Sequence, residues 1–272
     1  MNRNNPIKNM IDTHITLRNS QRVLAIIGDP IHQVTSPATF GKYFQTHDID
    51  AVMVPLHVGS EDFNRVLAGL RKVKNFSGAV VTIPHKYDAY NLAHKRNPMA
   101  QATGTANVLI PIGKDQWSAE MLDGVGLINA LEKRSVETAG LRTLIIGAGG
   151  AGTAVAVALE QLGRVGSITI WDTDVQRAKA LSAKLAQAEV VEPDTSEYQL
   201  IVNASPVGMG SDAMPLDAPR FSPATIVCDA IMHPPKTRFL REAEKQGCII
   251  VEGLEMLHGQ VAPLVRFLGL QD

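Results

Sequence analysis

A glycine-rich loop in the middle of the chain constrains the fold more than any other feature. It reads Gly-Ala-Gly-Gly-Ala-Gly and places Gly147, Gly149 and Gly152 at the spacing G-x-G-x-x-G. An apolar run, residues 141–146, precedes the loop, and an alanine-rich segment, residues 151–162, follows it. A strand, a glycine loop and a helix in this order are typical of a βαβ unit that binds the diphosphate of a dinucleotide.

The positions within the loop have separate physical roles. The first glycine permits a tight turn, the second lets the backbone approach a pyrophosphate, and the third lets the helix pack close to the sheet. Free N–H groups and the dipole at the start of the helix favour the negative charge of the diphosphate. The predicted cofactor-binding residues are Gly147, Ala148, Gly149, Gly150, Ala151 and Gly152. The alternative is that the glycines only turn the chain.

Asp172 indicates which dinucleotide binds. It follows the apolar run 167–171, at 25 residues after Gly147. An acidic side chain about 20 residues beyond such a loop can accept hydrogen bonds from the adenosine ribose and repels a 2′-phosphate. No arginine precedes Arg177 in this stretch. The sequence therefore predicts NAD as the cofactor, with NADP disfavoured, although Asp172 could instead cap the next helix.

Strand-length apolar runs alternate with amphipathic segments along the chain. The predicted strands are residues 23–27, 51–54, 79–82, 106–112, 117–122, 141–146, 167–171, 200–203, 225–229 and 248–251. The predicted helices are residues 37–46, 61–70, 123–135, 151–162, 174–188, 237–246 and 254–270. This alternation predicts an α/β fold with largely parallel sheets. We expect an N-terminal α/β substrate domain, residues 1–122, a C-terminal Rossmann-type NAD-binding domain, residues 123–253, and a cleft between them.

Composition excludes several classes of protein. With 45% hydrophobic and 19% charged residues, the chain is too apolar to be disordered. The 26 basic and 27 acidic residues leave no basic excess, which argues against a nucleic-acid or membrane-surface partner. Residues 1–22 lack the apolar core of a signal peptide, and the longest uncharged run has 17 residues, short of the ~20 a membrane span needs. We therefore expect a cytoplasmic protein that acts on a small molecule.

Lys86 and Asp123 are the residues that best suit a chemical step. Lys86 follows a predicted buried strand and a proline turn, and Asp123 ends the predicted hairpin. Ligands of open α/β sheets bind at the carboxyl ends of the strands. One group of such a pair can take a hydroxyl proton while hydride leaves to a nicotinamide, and the other can orient it. Lys86 could equally be a solvated residue at a helix start. The dispersed histidines show no metal-ligand spacing, so no metal site is expected.

Seven segments of the chain match one family in order. They are Gly28-Asp29-Pro30-Ile31 with Ser36-Pro37, Val81-Thr82-Ile83-Pro84-His85-Lys86, Gly104-Thr105-Ala106-Asn107, Asp123-Gly124-Val125-Gly126, the glycine loop, residues 203–209, and Gly253-Leu254 with Met256-Leu257 and Gln260. From about residue 23 onward the chain resembles the shikimate dehydrogenase family. The resemblance implies oxidation of shikimate to 3-dehydroshikimate or, in some branches, of quinate. It also implies that the C-terminal helix, residues 254–272, completes the substrate domain.

The resemblance assigns roles to individual residues. Lys86 and Asp123 match the catalytic pair of the family. The substrate-binding residues that it implies are Ser36, Thr82, Asn107 and Gln260. The loop that it places beside the nicotinamide contributes Asn203, Ser205, Val207 and Met209.

The departures from the family pattern affect how the substrate would be bound. Val34 stands where the family has the first of two serines that hold the substrate carboxylate. Val80 replaces an asparagine, Met232 replaces a tyrosine, and Met121-Leu122 replace the polar pair before Asp123. A lost hydrogen bond to a charged group costs about 1.5–3 kcal/mol unless another donor replaces it. Gln33, Thr35 or the backbone could serve as that donor. An arginine that such enzymes use for NADP is also absent.

These observations predict an NAD-preferring oxidoreductase for shikimate, quinate or a close relative such as aminoshikimate. The alternative is a non-catalytic sensor of the same family that binds NAD and a metabolite. A related folate-type dehydrogenase is disfavoured by the Ser36-Pro37 and Asn107 segments. A monomer or a homodimer is expected.

Overall fold

The computed structural model describes residues 18–192 and 194–271. The first half of the chain forms a six-stranded mixed sheet, and helices connect most of its strands. Its elements are β1 (Arg22–Gly28), α1 (Ser36–Thr46), β2 (Ala51–His57), α2 (Phe63–Leu70), β3 (Phe76–Val81), α3 (Lys86–Leu92), β4 (Lys95–Arg96), α4 (Pro98–Thr103), β5 (Val108–Ile112) and β6 (Gln116–Glu120). The strand order is β2-β1-β3-β5-β6-β4. β1 runs parallel to β2 and β3, whereas β5 is antiparallel to β3 and β6.

The second half of the chain builds a parallel six-stranded sheet. Its elements are α5 (Asp123–Lys133), β7 (Arg142–Ile146), α6 (Gly150–Gln161), β8 (Ser167–Trp171), α7 (Val175–Ser182), β9 (Ala188–Val190), β10 (Leu200–Asn203), β11 (Ile226–Asp229), α8 (Arg238–Lys245), β12 (Ile249–Val251) and α9 (Gly253–Phe267). The strand order β12-β11-β10-β7-β8-β9 reverses direction between β7 and β10. Ligands of open α/β sheets bind at such a reversal, at the carboxyl ends of the strands.

The last helix returns to the first sheet. Val261, Leu264 and Val265 of α9 pack in one buried cluster with Leu24 and Ile26 of β1. α9 also lies against α5, where a Cβ added at Gly126 would overlap the carbonyl oxygen of Met256. This close approach brings the C-terminal helix beside the start of α5. Domain boundaries at 1–122 with 254–272, and at 123–253, stay a prediction.

One predicted helix is wrong in its second half. The segment 174–188 was expected to be helical throughout, but α7 ends at Ser182 and Ala188–Val190 form the edge strand β9. Asp174 does cap the helix, because its carboxylate accepts from the N–H groups of Gln176 and Arg177. Residues 183–187 form a turn that leads into β9, and β9 pairs with the edge of β8. The short helices α3 and α4 are additional elements that the apolar periodicity did not predict.

The sequence predicts neither a membrane span nor a signal peptide, and the structure bears on only the first of these expectations. Within residues 18–192 and 194–271, no helix is long and apolar enough to cross a membrane. The expectation drawn from the polar segment 1–22 concerns mainly residues 1–17, which lie outside the described residues.

Candidate functional site

Lys86 and Asp123 are in contact where the first sheet meets the second half of the chain. Lys86 is the first residue of α3, and Asp123 is the first residue of α5. The Nζ of Lys86 donates to Oδ2 of Asp123. Only 13% of the lysine side chain and 10% of the aspartate side chain are exposed. The structure therefore brings together the two residues that the sequence singled out for proton transfer.

Asn107 and Gln260 extend this pair into a buried polar network. The Nδ2 of Asn107 donates to Oδ1 of Asp123 at 2.7 Å and to Oε1 of Gln260 at 2.9 Å. The Oδ1 of Asn107 accepts from the N–H of Leu122 at 2.9 Å. Asn107 precedes β5, Asp123 begins α5 and Gln260 lies on α9, so distant parts of the chain meet at the amide of Asn107. The bond from Asn107 to Oδ1 fixes the orientation of Asp123, and Lys86 donates to the other carboxylate oxygen, Oδ2.

Ser36 and Thr82 are the other two residues predicted to bind substrate. Ser36 is the buried first residue of α1. Thr82 directly follows β3 and packs against the end of β1, since a Cβ at Gly28 would overlap Cγ2 of Thr82. In the described part of the chain, no hydrogen bond joins either side chain to Lys86, Asp123, Asn107 or Gln260. Their predicted role with substrate stays a prediction.

The glycine loop has the geometry that its sequence indicates. Gly147 has a φ of 98°, a conformation that favours glycine. A Cβ at Gly152 would overlap the carbonyl oxygen of Gly147, so the third glycine permits the close approach of helix and strand. At Gly149 an added Cβ would meet nothing within 4 Å, which leaves the second glycine open on its side-chain face. Open space at this position, at the start of the twelve-residue helix α6, fits a bound diphosphate.

The same loop borders the Lys86–Asp123 pair. A Cβ built on Gly150 would lie 3.4 Å from Cδ of Lys86 and 3.9 Å from Cγ2 of Thr105. The start of α6, where a dinucleotide would bind, is therefore in van der Waals reach of the lysine. This proximity is required if hydride and proton are to leave the same carbinol.

Asp172 is bonded to the glycine loop. Its Oδ2 accepts from the N–H of Ala148 at 2.7 Å, and its Oδ1 accepts from the N–H of Asp174 at 2.8 Å. The carboxylate therefore lies after the carboxyl end of β8, beside the glycine loop. Because a carboxylate offers about four acceptor positions, two remain for other donors. The cap of α7 is supplied by Asp174 instead, so the competing role for Asp172 is filled by another residue.

The loop after β10 is organised by Asn203. The Oδ1 of Asn203 accepts from both Oγ and N–H of Ser205, at 2.7 and 3.1 Å. Its Nδ2 donates to the carbonyl oxygen of Val207 at 3.3 Å. The apolar side chains of Val207 and Met209 are 37% and 42% exposed. Exposed apolar groups on a fixed loop offer a surface for one face of a flat ring.

Asp229 is a buried carboxylate that the sequence did not single out. Its Oδ1 accepts from Nδ2 of Asn203 at 3.1 Å and from the N–H of Ile231 at 3.0 Å. Its Oδ2 accepts from Oγ1 of Thr237, the residue that caps α8, at 2.7 Å. Burial raises the pKa of Asp229 to about 6, against the opposing effect of these hydrogen bonds. Asn203 and Asp229 face each other in the β10–β11 register, a pairing that sequence spacing alone does not reveal.

The positions at which the chain departs from the family are apolar and connected. Val34 packs at the edge of the cluster that contains Val80 and Leu122. The hydroxyl of Thr35 donates to Sδ of Met232 at 3.6 Å, which joins the loop before α1 to the loop after β11. His85, by contrast, is fully buried, stacks on Phe63 and hydrogen-bonds the carbonyl of Val58, so it supports the turn before α3.

Comparison with known proteins identifies relatives along most of the chain. The family profile "Shikimate dehydrogenase substrate binding domain" matches residues 26–109. A protein of Symbiobacterium thermophilum named "Shikimate dehydrogenase (NADP(+))" is 35% identical over 91% of this chain and 88% of its own length. The corresponding protein of Acidiphilium cryptum is 33% identical over 89% of this chain and 88% of its own length.

A solved structure supports the same assignment. The shikimate 5-dehydrogenase of Listeria monocytogenes, in complex with shikimate and NAD, superposes with a TM-score of 0.83 at 26% identity. The match covers 96% of each chain. Both halves of the fold are therefore shared.

Proposed function

The chain belongs to the shikimate dehydrogenase family, and from this premise we propose that it transfers hydride between NAD and a ring alcohol of shikimate or a close relative such as quinate or aminoshikimate. It is a nicotinamide-dependent oxidoreductase that acts on CH–OH groups. The observation that carries the proposal is the contact between Lys86 and Asp123 beside the start of α6.

Proton transfer falls to the Lys86–Asp123 pair. In the oxidising direction, the Lys86–Asp123 pair accepts the proton of the substrate hydroxyl through the Nζ of Lys86. The hydrogen on the carbinol carbon leaves as hydride with the C–H electron pair, and the O–H electron pair forms the C=O bond. A bound nicotinamide supplies the hydride acceptor. Lys86 then returns its proton to solvent, and every step reverses for reduction of the ketone.

The neighbouring residues position this reaction. Asp123 holds the lysine, and its own orientation is fixed by the amide of Asn107. We propose that Gln260, bonded to the same amide, contacts a second ring hydroxyl, and that Thr82 after β3 and Ser36 at the start of α1 also contact the substrate. Because these groups come from the first half of the chain and from α9, the substrate would be held mainly by the first half of the chain and the C-terminal helix.

The preference for NAD rests on Asp172. Its carboxylate is fixed by Ala148 N–H at the glycine loop, where a ribose 2′-phosphate would meet negative charge at short range. The two curated relatives described above carry NADP(+) in their names, so this chain would differ from them in cofactor choice. The Listeria complex contains NAD, which is a precedent for NAD in a structural neighbour.

A steady-state assay tests the proposal. NAD and NADP are each combined with shikimate, quinate and aminoshikimate, and formation of the reduced cofactor is followed by its absorbance. We expect turnover with at least one of these alcohols and a higher kcat/KM with NAD than with NADP. Higher kcat/KM with NADP would overturn the cofactor assignment. Metabolite binding without turnover under any combination would instead favour the non-catalytic sensor.

A further inference from the structure

Helix α9 contains a proline in its interior, Pro263. In an α-helix the N–H of each residue donates to the carbonyl oxygen four residues earlier, and proline has no N–H. The carbonyl oxygen of Gly259 therefore lacks the donor that its own helix would normally supply. Because Gln260 directly follows Gly259, this break in the hydrogen-bond pattern lies beside a predicted substrate-binding residue.

Asn129 of α5 supplies the missing donor. Its Nδ2 donates to the carbonyl oxygen of Gly259 at 2.7 Å, across a separation of 130 residues in the chain. The two helices are in backbone contact at this point, since a Cβ added at Gly259 would overlap the carbonyl oxygen of Gly126 and lie 3.2 Å from Cβ of Asn129. A partly buried carbonyl without a partner costs free energy, so the bond fixes α9 against α5 one residue before Gln260.

This bond closes a ring of contacts that passes through the polar network of the site. Gln260 is buried, and its Oε1 accepts from Nδ2 of Asn107, which also donates to Asp123. Asp123 and Asn129 both belong to α5, so the ring returns to its start along that helix. Gln260 is therefore held through its side-chain oxygen and through the peptide that precedes it. Among the described residues, its Nε2 donates to no protein acceptor, and this is the atom left for a ligand.

We propose that Asn129 is a positioning residue for the substrate: by donating to the carbonyl oxygen that Pro263 leaves free, it holds Gln260 where Nε2 donates to a ring hydroxyl. The inference rests on the proposed contact of Gln260 with the substrate and names the residue that maintains it. Because the effect falls on substrate binding, loss of the Asn129 amide raises KM for the alcohol and changes kcat little.

The ion pair of Arg134 and Glu255 provides a matched comparison. Nε and Nη2 of Arg134, at the end of α5, donate to the two carboxylate oxygens of Glu255 at 2.7 and 2.8 Å. This pair joins the same two helices in the first turn of α9, away from the peptide that precedes Gln260. Its removal weakens the contact between α5 and α9 without releasing Gln260.

A double-mutant cycle between Asn129 and Gln260 tests the positioning role. Steady-state kinetics with NAD and shikimate, or with quinate or aminoshikimate if the unaltered protein turns one of these over faster, give KM and kcat for Asn129→Ala, Gln260→Ala and the double variant. We expect each single change to raise KM about five- to tenfold, the equivalent of one hydrogen bond, with kcat within about twofold. The double variant should match Gln260→Ala, because Asn129 acts through that side chain. An unchanged KM in Asn129→Ala, or multiplied effects in the double variant, overturns the inference.

The controls separate this outcome from others. Arg134→Met should leave KM unchanged, and a rise equal to that of Asn129→Ala would show that any weakened contact between α5 and α9 has the same effect. Asn129→Leu, which keeps similar volume without a donor, replaces Asn129→Ala if that variant does not fold. No turnover of any of the three alcohols by the unaltered protein defeats the proposed function and the positioning role with it. Turnover with multiplied effects defeats the positioning role alone.

Pro263→Ala distinguishes positioning from stability, because it restores an N–H that can donate to the carbonyl oxygen of Gly259. In urea unfolding, Asn129→Ala should raise the unfolding equilibrium constant about fivefold in the otherwise unaltered protein and less than about twofold in the Pro263→Ala background. The KM of the combined variant should nevertheless stay raised, since α5 no longer holds the peptide before Gln260. Recovery of KM together with stability, or no recovery of stability, would contradict the inference.

Discussion

Two buried aspartates, Asp123 and Asp229, are each held by an asparagine from another element, yet they differ in the partner on their second oxygen. Asp123 accepts from Asn107 and from the Nζ of Lys86. Asp229 accepts from Asn203, from a backbone N–H and from the hydroxyl of Thr237, and from no lysine or arginine among the described residues. In the proposed reaction, the first arrangement exchanges a proton with the ligand. The second ties together the two loops that follow β10 and β11.

The difference shows that burial of a carboxylate does not by itself mark a catalytic residue. Asp229 is 2% exposed and has a raised pKa, both of which are common in active sites. Its partners, however, are the residues that shape the loop 203–209 and cap α8. Asp123 is set apart because its lysine borders the start of α6, where a cofactor would bind.

The largest expected effect is a difference in kcat between the Asp123→Asn and Asp229→Asn variants. Asp123→Asn keeps the shape of the side chain but removes the charge that orients Lys86. We expect kcat to fall by about 10²–10⁴-fold, the range typical of general acid–base groups. Asp229→Asn should lower kcat much less, because it acts through the position of a loop. Steady-state kinetics on both variants measures this difference. Equal losses of kcat would contradict the distinction between the two aspartates.

The next largest effect is on the pH dependence of the free energy of unfolding, to which Asp229 contributes. Between about pH 4 and 6 its carboxyl is protonated in the folded chain and ionised in the unfolded chain. The folded chain then binds one more proton, so the free energy of unfolding falls as pH rises through this interval. The contribution amounts to about 2–3 kcal/mol between pH 4 and 7.

Urea unfolding at pH 4 and pH 7 measures this contribution. The decrease in unfolding free energy should be smaller by up to about 3 kcal/mol in Asp229→Asn than in the unaltered protein. Asp212→Asn, which removes an exposed carboxylate paired with Arg241, is the control and should leave the decrease nearly unchanged. An identical decrease in Asp229→Asn would show that this carboxyl does not titrate as described.

A third aspartate, Asp172, provides the smallest effect. Like Asp229 it accepts from neutral donors, but it is only half-buried and lies at the glycine loop. Asp172→Ser combined with Thr173→Arg should move the ratio of kcat/KM for NADP over NAD upward by about 10- to 100-fold, the equivalent of one or two charge-assisted contacts. The single change Thr173→Arg is the control for added positive charge alone. Unchanged selectivity would remove Asp172 from the ribose site.

The polar network around Lys86 and Asp123 could be predicted from sequence because its residues lie in short motifs. Lys86, Asp123, Asn107 and Gln260 were each assigned by resemblance, and the structure places all four in one hydrogen-bonded network. The turn at Gly147 and the close approach at Gly152 followed from elementary backbone sterics.

Other contacts depend on tertiary pairing and could not be predicted. Asn203 and Asp229 meet only because β10 and β11 pair in a particular register, across 22 intervening residues of irregular chain. The contact of Thr35 with Met232 joins loops from the two halves. The strand β9 begins at Ala188, the last residue of the segment expected to be helical, and its pairing with β8 at the sheet edge is a tertiary contact that local propensity does not include.

The most direct test of the central claim is the turnover of Lys86→Ala, measured beside its affinity for NADH. We predict that kcat falls by at least about 10²-fold while the dissociation constant for NADH, followed by fluorescence, stays near that of the unaltered protein. Lys72→Ala, at an exposed lysine that pairs with Asp115, is the control. Undiminished turnover in Lys86→Ala would contradict the assignment of proton transfer to the Lys86–Asp123 pair.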